Sequence, residues 1–383
     1  MNLFKRYLNY IIFALILGLF ISGFYALIYI YALNTRSPKT VVIKSSSLND
    51  TSSANSKVDL QIKSVNKLDS AYNISNPVII DNSTLAFTTI KQEDEEYNGE
   101  ICDFNIDTNT ISEIDNKLAK GLHVLPDKKG LIYYVSDDEN SDSKTYLYDF
   151  ESKKISKTFD GSVCEIAPDS STYIGMIKDN LFMQNINTGE RKNIINIKEF
   201  VQEAGLNLKI NLGYLKKMED LKLRNFRFSL DGKRIYFIGS HENEFALYMI
   251  NLDNNNSLEV LAIGDITDLT PLKDGNLIFY GNINGDYGMY LYNINTREYK
   301  LLVNSNISGL DVTAEGKVAY ISSNNDRINE LHTAYLNNDI IESDNRIYSD
   351  LKNVRLLKWS NDGKILFCIN SGLNVSSILR FNF

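Results

Sequence analysis

The chain is 383 residues long, 43% apolar and 11% aromatic, which is enough to fill the core of one large domain or two ordinary ones. Its formal net charge of -8 argues against a nucleic-acid binder, because phosphate recognition needs a concentrated basic face and no basic run occurs. Three scattered cysteines, Cys102, Cys164 and Cys368, cannot close a disulfide framework and have no metal-ligand spacing, so they read as buried or half-buried free thiols.

The first element is apolar on every side. Lys5 and Arg6 precede an uncharged run from Tyr7 to Thr35, longer than the roughly twenty residues that span a bilayer as a helix. The run exceeds a signal-peptide core of about 7–15 residues, lacks a small-x-small cleavage site, and is followed by no lipoprotein cysteine. Tyr7, Tyr10, Tyr29 and Tyr31 stand near its ends, as interfacial aromatics do. An uncleaved signal anchor over residues 7–35 is expected, with residues 1–6 in the cytoplasm and the bulk of the chain outside. Residues 36–57, rich in Ser, Thr and Asn, read as a flexible stalk.

From residue 58 to residue 383 the chain writes one unit repeatedly. An acidic turn is followed by an apolar strand, a polar loop, a second strand, an Asn- or Asp-bearing turn and a third strand. The turn residues are Asp81, Asp127, Asp169, Asp231, Asp274, Glu315 and Asp362, at intervals of 46, 42, 62, 43, 41 and 47 residues. Asp-Gly suits such turns because Gly takes positive φ without steric cost. A period of 40–45 residues with four short strands predicts propeller blades. Each unit alone would expose an apolar sheet face, and stacking the sheets radially buries those faces.

The expected fold is therefore all-β: a seven-bladed, alternatively six-bladed, β-propeller of four-stranded antiparallel blades, preceded by one N-terminal transmembrane helix. Six remains an alternative because the third unit is poor in Gly and the 62-residue interval interrupts the count. The last unit, "DGKILFCINSGLNVSSILRFNF", stops one strand short. The candidate for that strand is "VDLQIKSVNKL", Val58 to Leu68, so that the two ends of the chain close the ring together.

"FSLDGKRIYFIGS" with "ALYMINLD", and "KWSNDGKILFCINS", resemble the TolB-like, WD40-like propeller repeat, whose pattern runs aromatic-Ser-Pro-Asp-Gly-Lys, Ile-x-Phe and a Tyr-bearing strand. The family proline is replaced here by Leu230 and Asn361. In that family the motif is structural and carries no catalytic residue. The resemblance implies a scaffold that usually binds proteins or, less often, polymers.

Chemistry-bearing motifs are sparse. His123, His241 and His332 are the only histidines, none in a zinc or catalytic motif, and no nucleophile elbow or phosphate-binding loop occurs. They read as satisfied surface or turn residues, His241 in the loop "GSHENE". Two acidic loops, holding Glu93, Asp94, Glu95 and Glu96 and then Asp137, Asp138, Glu139 and Asp142, fall between the second and third strands of the first two units. On neighbouring blades they would emerge on one face and offer a protein-partner or cation contact, although their spacing matches no calcium motif. The insertion at about 196–224 has helical spacing at Phe200, Val201 and Ala204, and again at Leu215, Met218 and Leu221.

The expected function is a membrane-anchored extracytoplasmic propeller that binds a protein partner at the cell envelope, with no catalysis, no cofactor, no metal and no nucleic acid. The alternatives are a glycan- or peptide-processing enzyme with its site in the propeller funnel, and a cation or ligand sensor using the acidic loops.

Overall fold

Residues 60–70, 73–93, 96–136, 143–178, 180–196, 222–241, 244–323, 328–371 and 376–383 are described by the computed structural model, together with Leu17 and Ser22. The proposed anchor and stalk lie outside these residues apart from Leu17 and Ser22, and among the described residues no helix is long and apolar enough to cross a membrane. From residue 60 onward the described residues form seven four-stranded antiparallel sheets. The blade number is thus seven, and the 62-residue interval is one blade plus the insertion. Residues 197–221 of that insertion lie outside the described residues, between strands Arg191–Asn196 and Lys222–Phe228.

Each blade runs outward from an inner strand. The inner strands of blades 1 to 7 are Ser75–Ile79, Lys120–Val124, Ser162–Ile166, Lys222–Phe228, Asp265–Pro271, Asn306–Val312 and Val354–Trp359. Consecutive inner strands touch all the way round, the seventh against the first, which closes the ring. The closing blade is built from both chain ends: its outermost strand is Ser64–Ser70, paired with Ser376–Asn382 from Ser64 opposite Asn382 to Ser70 opposite Ser376. Lys63 N donates to Asn382 O at 2.8 Å, extending the ladder by one bond. The closure expected from the sequence is present, displaced toward the C-terminus: the pairing starts at Ser64 rather than Val58, and the buried Leu60 and Ile62 lead into it.

All seven turn residues found by the repeat lie between the first and second strands of a blade. Six are aspartates whose Oδ1 accepts a backbone N–H two residues on, as in Ser83 N to Asp81 at 2.7 Å and Lys364 N to Asp362 at 3.1 Å. The short carboxylate thus folds the chain back onto itself, which is why aspartate rather than glutamate recurs. Gly232 and Gly363 follow their aspartates with φ of 70° and 61°, where a Cβ would be strained. In blade 6, where glutamate stands at the turn, Thr313 Oγ1 accepts from Lys317 N at 3.2 Å instead.

The apolar residues of the strands divide between two faces. In the second strand of blade 4, Tyr236 and Ile238 pack toward blade 5, whereas Ile235 and Phe237 pack toward blade 3. Seven apolar clusters result, one at each junction between neighbouring blades, including Leu68, Leu85, Phe87, Ile369 and Ile378 where the seventh blade meets the first. Burying one such Leu or Phe contributes roughly 1.5–3 kcal/mol, so each junction is a core in its own right. Cys102 and Cys368 are buried and Cys164 is half-buried, all free thiols in strands as expected.

Candidate functional site

Strand alternation places the first-to-second strand turns of every blade at one end of the ring and the second-to-third strand loops at the other. The inner strands converge on the axis and line a central cavity of about 810 Å³ that opens among the turns, where Asp81, Asn82, Lys128, Ser360 and Asn361 form its rim. A cavity of this size lies in the range that takes ligands or peptide segments.

The cavity has a regular construction. Four residues before each turn residue stands one side chain per blade: Pro77, His123, Glu165, Arg227, Thr270, Asp311 and Lys358, and all seven line the cavity. Every inner strand also carries a bulge, ending on the ring residue itself in blades 2, 3 and 4 and two residues earlier in blades 5, 6 and 7. A bulge increases local twist and re-aims the following side chain, which a strand crowded against six others at an axis requires.

Opposite charges on this ring pair. Arg227 Nη1 lies 3.2 Å from Glu165 Oε2, and its Nη2 lies 3.5 Å from Asp268 Oδ1, two residues before Thr270 on the blade 5 strand. Lys358 Nζ donates to Asp311 Oδ1 at 2.6 Å, while Trp359 N donates to Asp311 Oδ2 at 2.7 Å. Glu165 also accepts from Ile166 N at 2.9 Å, and Asp268 from Leu269 N at 2.8 Å. Each of the three inward carboxylates therefore holds one backbone amide and one cation. Burial pulls the Arg227 guanidinium toward release of its proton, and the facing Asp268, Glu165 and Asp311 outweigh that pull and hold it more firmly charged.

His123 Nδ1 sits 3.7 Å from Glu165 Oε1. Burial keeps its pKa below the ordinary value of 6.5, and Glu165, which favours the cation, is offset in part by Arg227, so the imidazole is neutral near pH 7. Tyr280, buried beside Asp268 and lining the same cavity, is held protonated chiefly by burial. Cys164 on the blade 3 inner strand has its thiol pushed up to about 12, again by burial.

None of the acidic-loop residues singled out from sequence is among those lining the cavity. Glu93 and Glu96 are backbone register partners at the tip of the hairpin between strands Thr84–Glu93 and Glu96–Asn105. Asp94, Glu95, Asp137, Asp138, Glu139 and Asp142 lie outside the described residues. The second and third strands that flank these segments, in blades 1 and 2, meet them at the end of the ring opposite the turns that rim the cavity. His241 ends strand Arg234–His241, and the reading of the histidines as surface or turn residues requires correction for the other two. His123 faces the axis, and His332 is stacked on Tyr320 at 4.9 Å with its Nδ1 3.1 Å from Asp344 Oδ1. Among the described residues no group of three His, Cys, Asp or Glu side chains is placed to hold a metal ion.

The axis-facing ring was the signal that motif searching passes over. No single repeat marks it, since its members are Pro, His, Glu, Arg, Thr, Asp and Lys, yet one fixed offset from the turn finds all seven.

No protein-family model matches the chain, and no curated protein matches it in sequence. Solved structures match it in fold. An oligogalacturonate lyase in complex with manganese is 13% identical at a TM-score of 0.59, covering 90% of this chain and 96% of that one. The propeller domain of Cps50 (Swd1) from Myceliophteria thermophila is 12% identical at a TM-score of 0.55, covering 82% of this chain and 98% of that one. TolB from Acinetobacter baumannii is 12% identical at a TM-score of 0.43, covering 79% of this chain and 80% of that one. At these identities the likeness is one of fold alone, and the chain is a seven-bladed β-propeller of four-stranded antiparallel blades.

Proposed function

We propose that this chain is a membrane-anchored, extracytoplasmic β-propeller that binds a protein partner at the cell envelope without catalysing a reaction. The observation that supports it is the pairing state of the cavity. Glu165, Asp268 and Asp311 each already accept a backbone amide and a cation, which occupies lone pairs that a general base would need free. The anchor rests on the uncharged run from Tyr7 to Thr35.

A catalytic reading has one observation in its favour. His123 is a neutral imidazole in the cavity beside Glu165, an arrangement able to take a proton. A lyase stands among the proteins of similar fold. Crosslinking in membranes followed by capture of the full-length protein separates the two readings. A stoichiometric protein partner, with no turnover of envelope glycans or peptides by the purified protein, is the expected result. Turnover that disappears in His123→Gln overturns it.

A further inference from the structure

The charges lining the cavity balance in number and differ in availability. The inward carboxylates are spent: Asp311 is only 5% exposed under Lys358 and Trp359 N, Glu165 is 19% exposed under Arg227, and Asp268 accepts from Leu269 N and Arg227, while Asp81 on the rim accepts from Ser83 N and Thr84 N. Of the cations, Arg227 is held by Glu165 and Asp268, and the other three are not spent. Lys358 gives one hydrogen bond to Asp311 and stays 53% exposed, with N–H donors left over. The side chains of Arg355 and Lys128, both exposed and both lining the cavity, have no hydrogen-bond or ion-pair partner among the described residues. An occupant therefore meets positive charge, inside a protein whose net charge is -8. Unpaired cations in a concavity of an otherwise anionic molecule draw anionic groups to that place.

The rim adds a second property. The residue just before the turn residue is Ile80, Pro126, Pro168 and Leu230 in blades 1 to 4, an apolar arc on one half of the mouth, with Leu230 50% exposed. In blades 5 to 7 the same position holds Lys273, Ala314 and Asn361. A sugar acid would satisfy the cations and leave this arc wet, whereas a peptide carrying both apolar and acidic side chains covers both.

We infer that the cavity receives an acidic, apolar-flanked segment of a protein partner, its carboxylates seated on Arg355 and Lys358 and its apolar side chains laid on the Ile80–Pro126–Pro168–Leu230 arc. This rests on the protein-binding function proposed above and specifies its ligand. Arg355 is the informative position, because it supports no other residue, whereas removing Lys358 would strand the buried Asp311.

The probe is a pair of fluorescein-labelled hexapeptides, one alternating Leu and Glu and the other alternating Leu and Gln, titrated by anisotropy into the full-length protein in detergent at low salt. The Glu peptide is expected to bind about tenfold more tightly than the Gln peptide, and Arg355→Gln should remove most of that difference. Lys128→Gln should weaken the Glu peptide by a smaller factor, and Leu230→Ser should weaken both peptides. Equal affinity for the two peptides, no binding of either, or indifference to Arg355→Gln overturns the proposal. If membrane crosslinking captures a partner that the Glu peptide does not displace, the cavity is not its site and only this inference fails. If no partner is captured and substrate is turned over, the protein-binding reading itself fails.

Discussion

The two ends of the ring are built on different terms. At the turn end, six aspartates fold six turns by the same backbone bond, and seven side chains at one offset line the resulting cavity. At the opposite end, the acidic loops and the long insertion differ from blade to blade in length and composition. The regular end spaces its charges blade by blade and the irregular end carries them in runs. Regularity makes a site out of residues that look unremarkable singly, while a conspicuous local sequence need not be assembled into anything.

The largest effect is expected from the element that lets both ends exist. Deleting residues 60–70 removes the outer strand of the seventh blade with the buried Val65 and Leu68, worth roughly 1.5–3 kcal/mol each, and bares the edge of Ser376–Asn382. The deletion should lower the melting temperature by more than about 10 °C, as read by calorimetry. An unchanged melting temperature would show that the ring does not depend on its closure.

Within the turn end, Arg227→Met should cost about 1–2 kcal/mol, less than for a fully buried pair because the guanidinium is 37% exposed. It should also raise the pKa of His123, on which Arg227 acts downward. The sign for stability follows. Since folded His123 binds its proton more weakly than the unfolded residue does, the wild type is fully stabilised above about pH 6.5 and loses stability as the pH falls below it. The variant should show a shallower loss across pH 5 to 6.5, with NMR titration of His123 reporting the shift directly.

Smaller still is the contribution of one turn. Asp231→Ala loses the bonds from Ser229 Oγ at 2.5 Å and Lys233 N at 3.1 Å and should cost about 1 kcal/mol. The Ser229 bond holds the Asp231 carboxyl below its ordinary pKa of 3.8, so the contribution is present above that pH and disappears as the pH falls through the folded value. Glu315→Ala, at the blade 6 turn where Thr313 does the bonding, should stay within about half a kcal/mol in urea titrations.

The irregular end should give the smallest effect. Changing Glu93, Asp94, Glu95 and Glu96 to their amides should leave the melting point nearly unmoved, within about half a kcal/mol. Millimolar Ca²⁺ should shift neither form, and a rise of several degrees confined to the unsubstituted protein would instead assign a cation to these loops.

The sequence made the scaffold legible because Asp-Gly turns and apolar strands recur at a period that only stacked blades satisfy. Even the closing strand could be read, from a last unit one strand short, though its start moved from Val58 to Ser64 because pairing with Ser376–Asn382 rather than local pattern sets the register. The cavity was not legible. His123 next to Val124 and Glu165 next to Ile166 look like ordinary polar positions of half-exposed strands, and only the bulges, which leave no residue-type signature, turn them to the axis. The acidic loops drew attention because a charge run is visible in one dimension, whereas the ring is assembled from residues about forty positions apart.

The central claim, that the turn end is the working face, is tested most directly by placing a photo-crosslinking amino acid at either end of the same protein. Leu230 on the cavity rim and Ile90 at the opposite end of blade 1 are both exposed, at 50% and 53%, so either tolerates the probe. Illumination of membranes carrying the Leu230 probe should give one crosslinked protein band, lost on adding Arg355→Gln, while the Ile90 probe gives none. A band from Ile90 that persists in Arg355→Gln, with none from Leu230, would contradict the account.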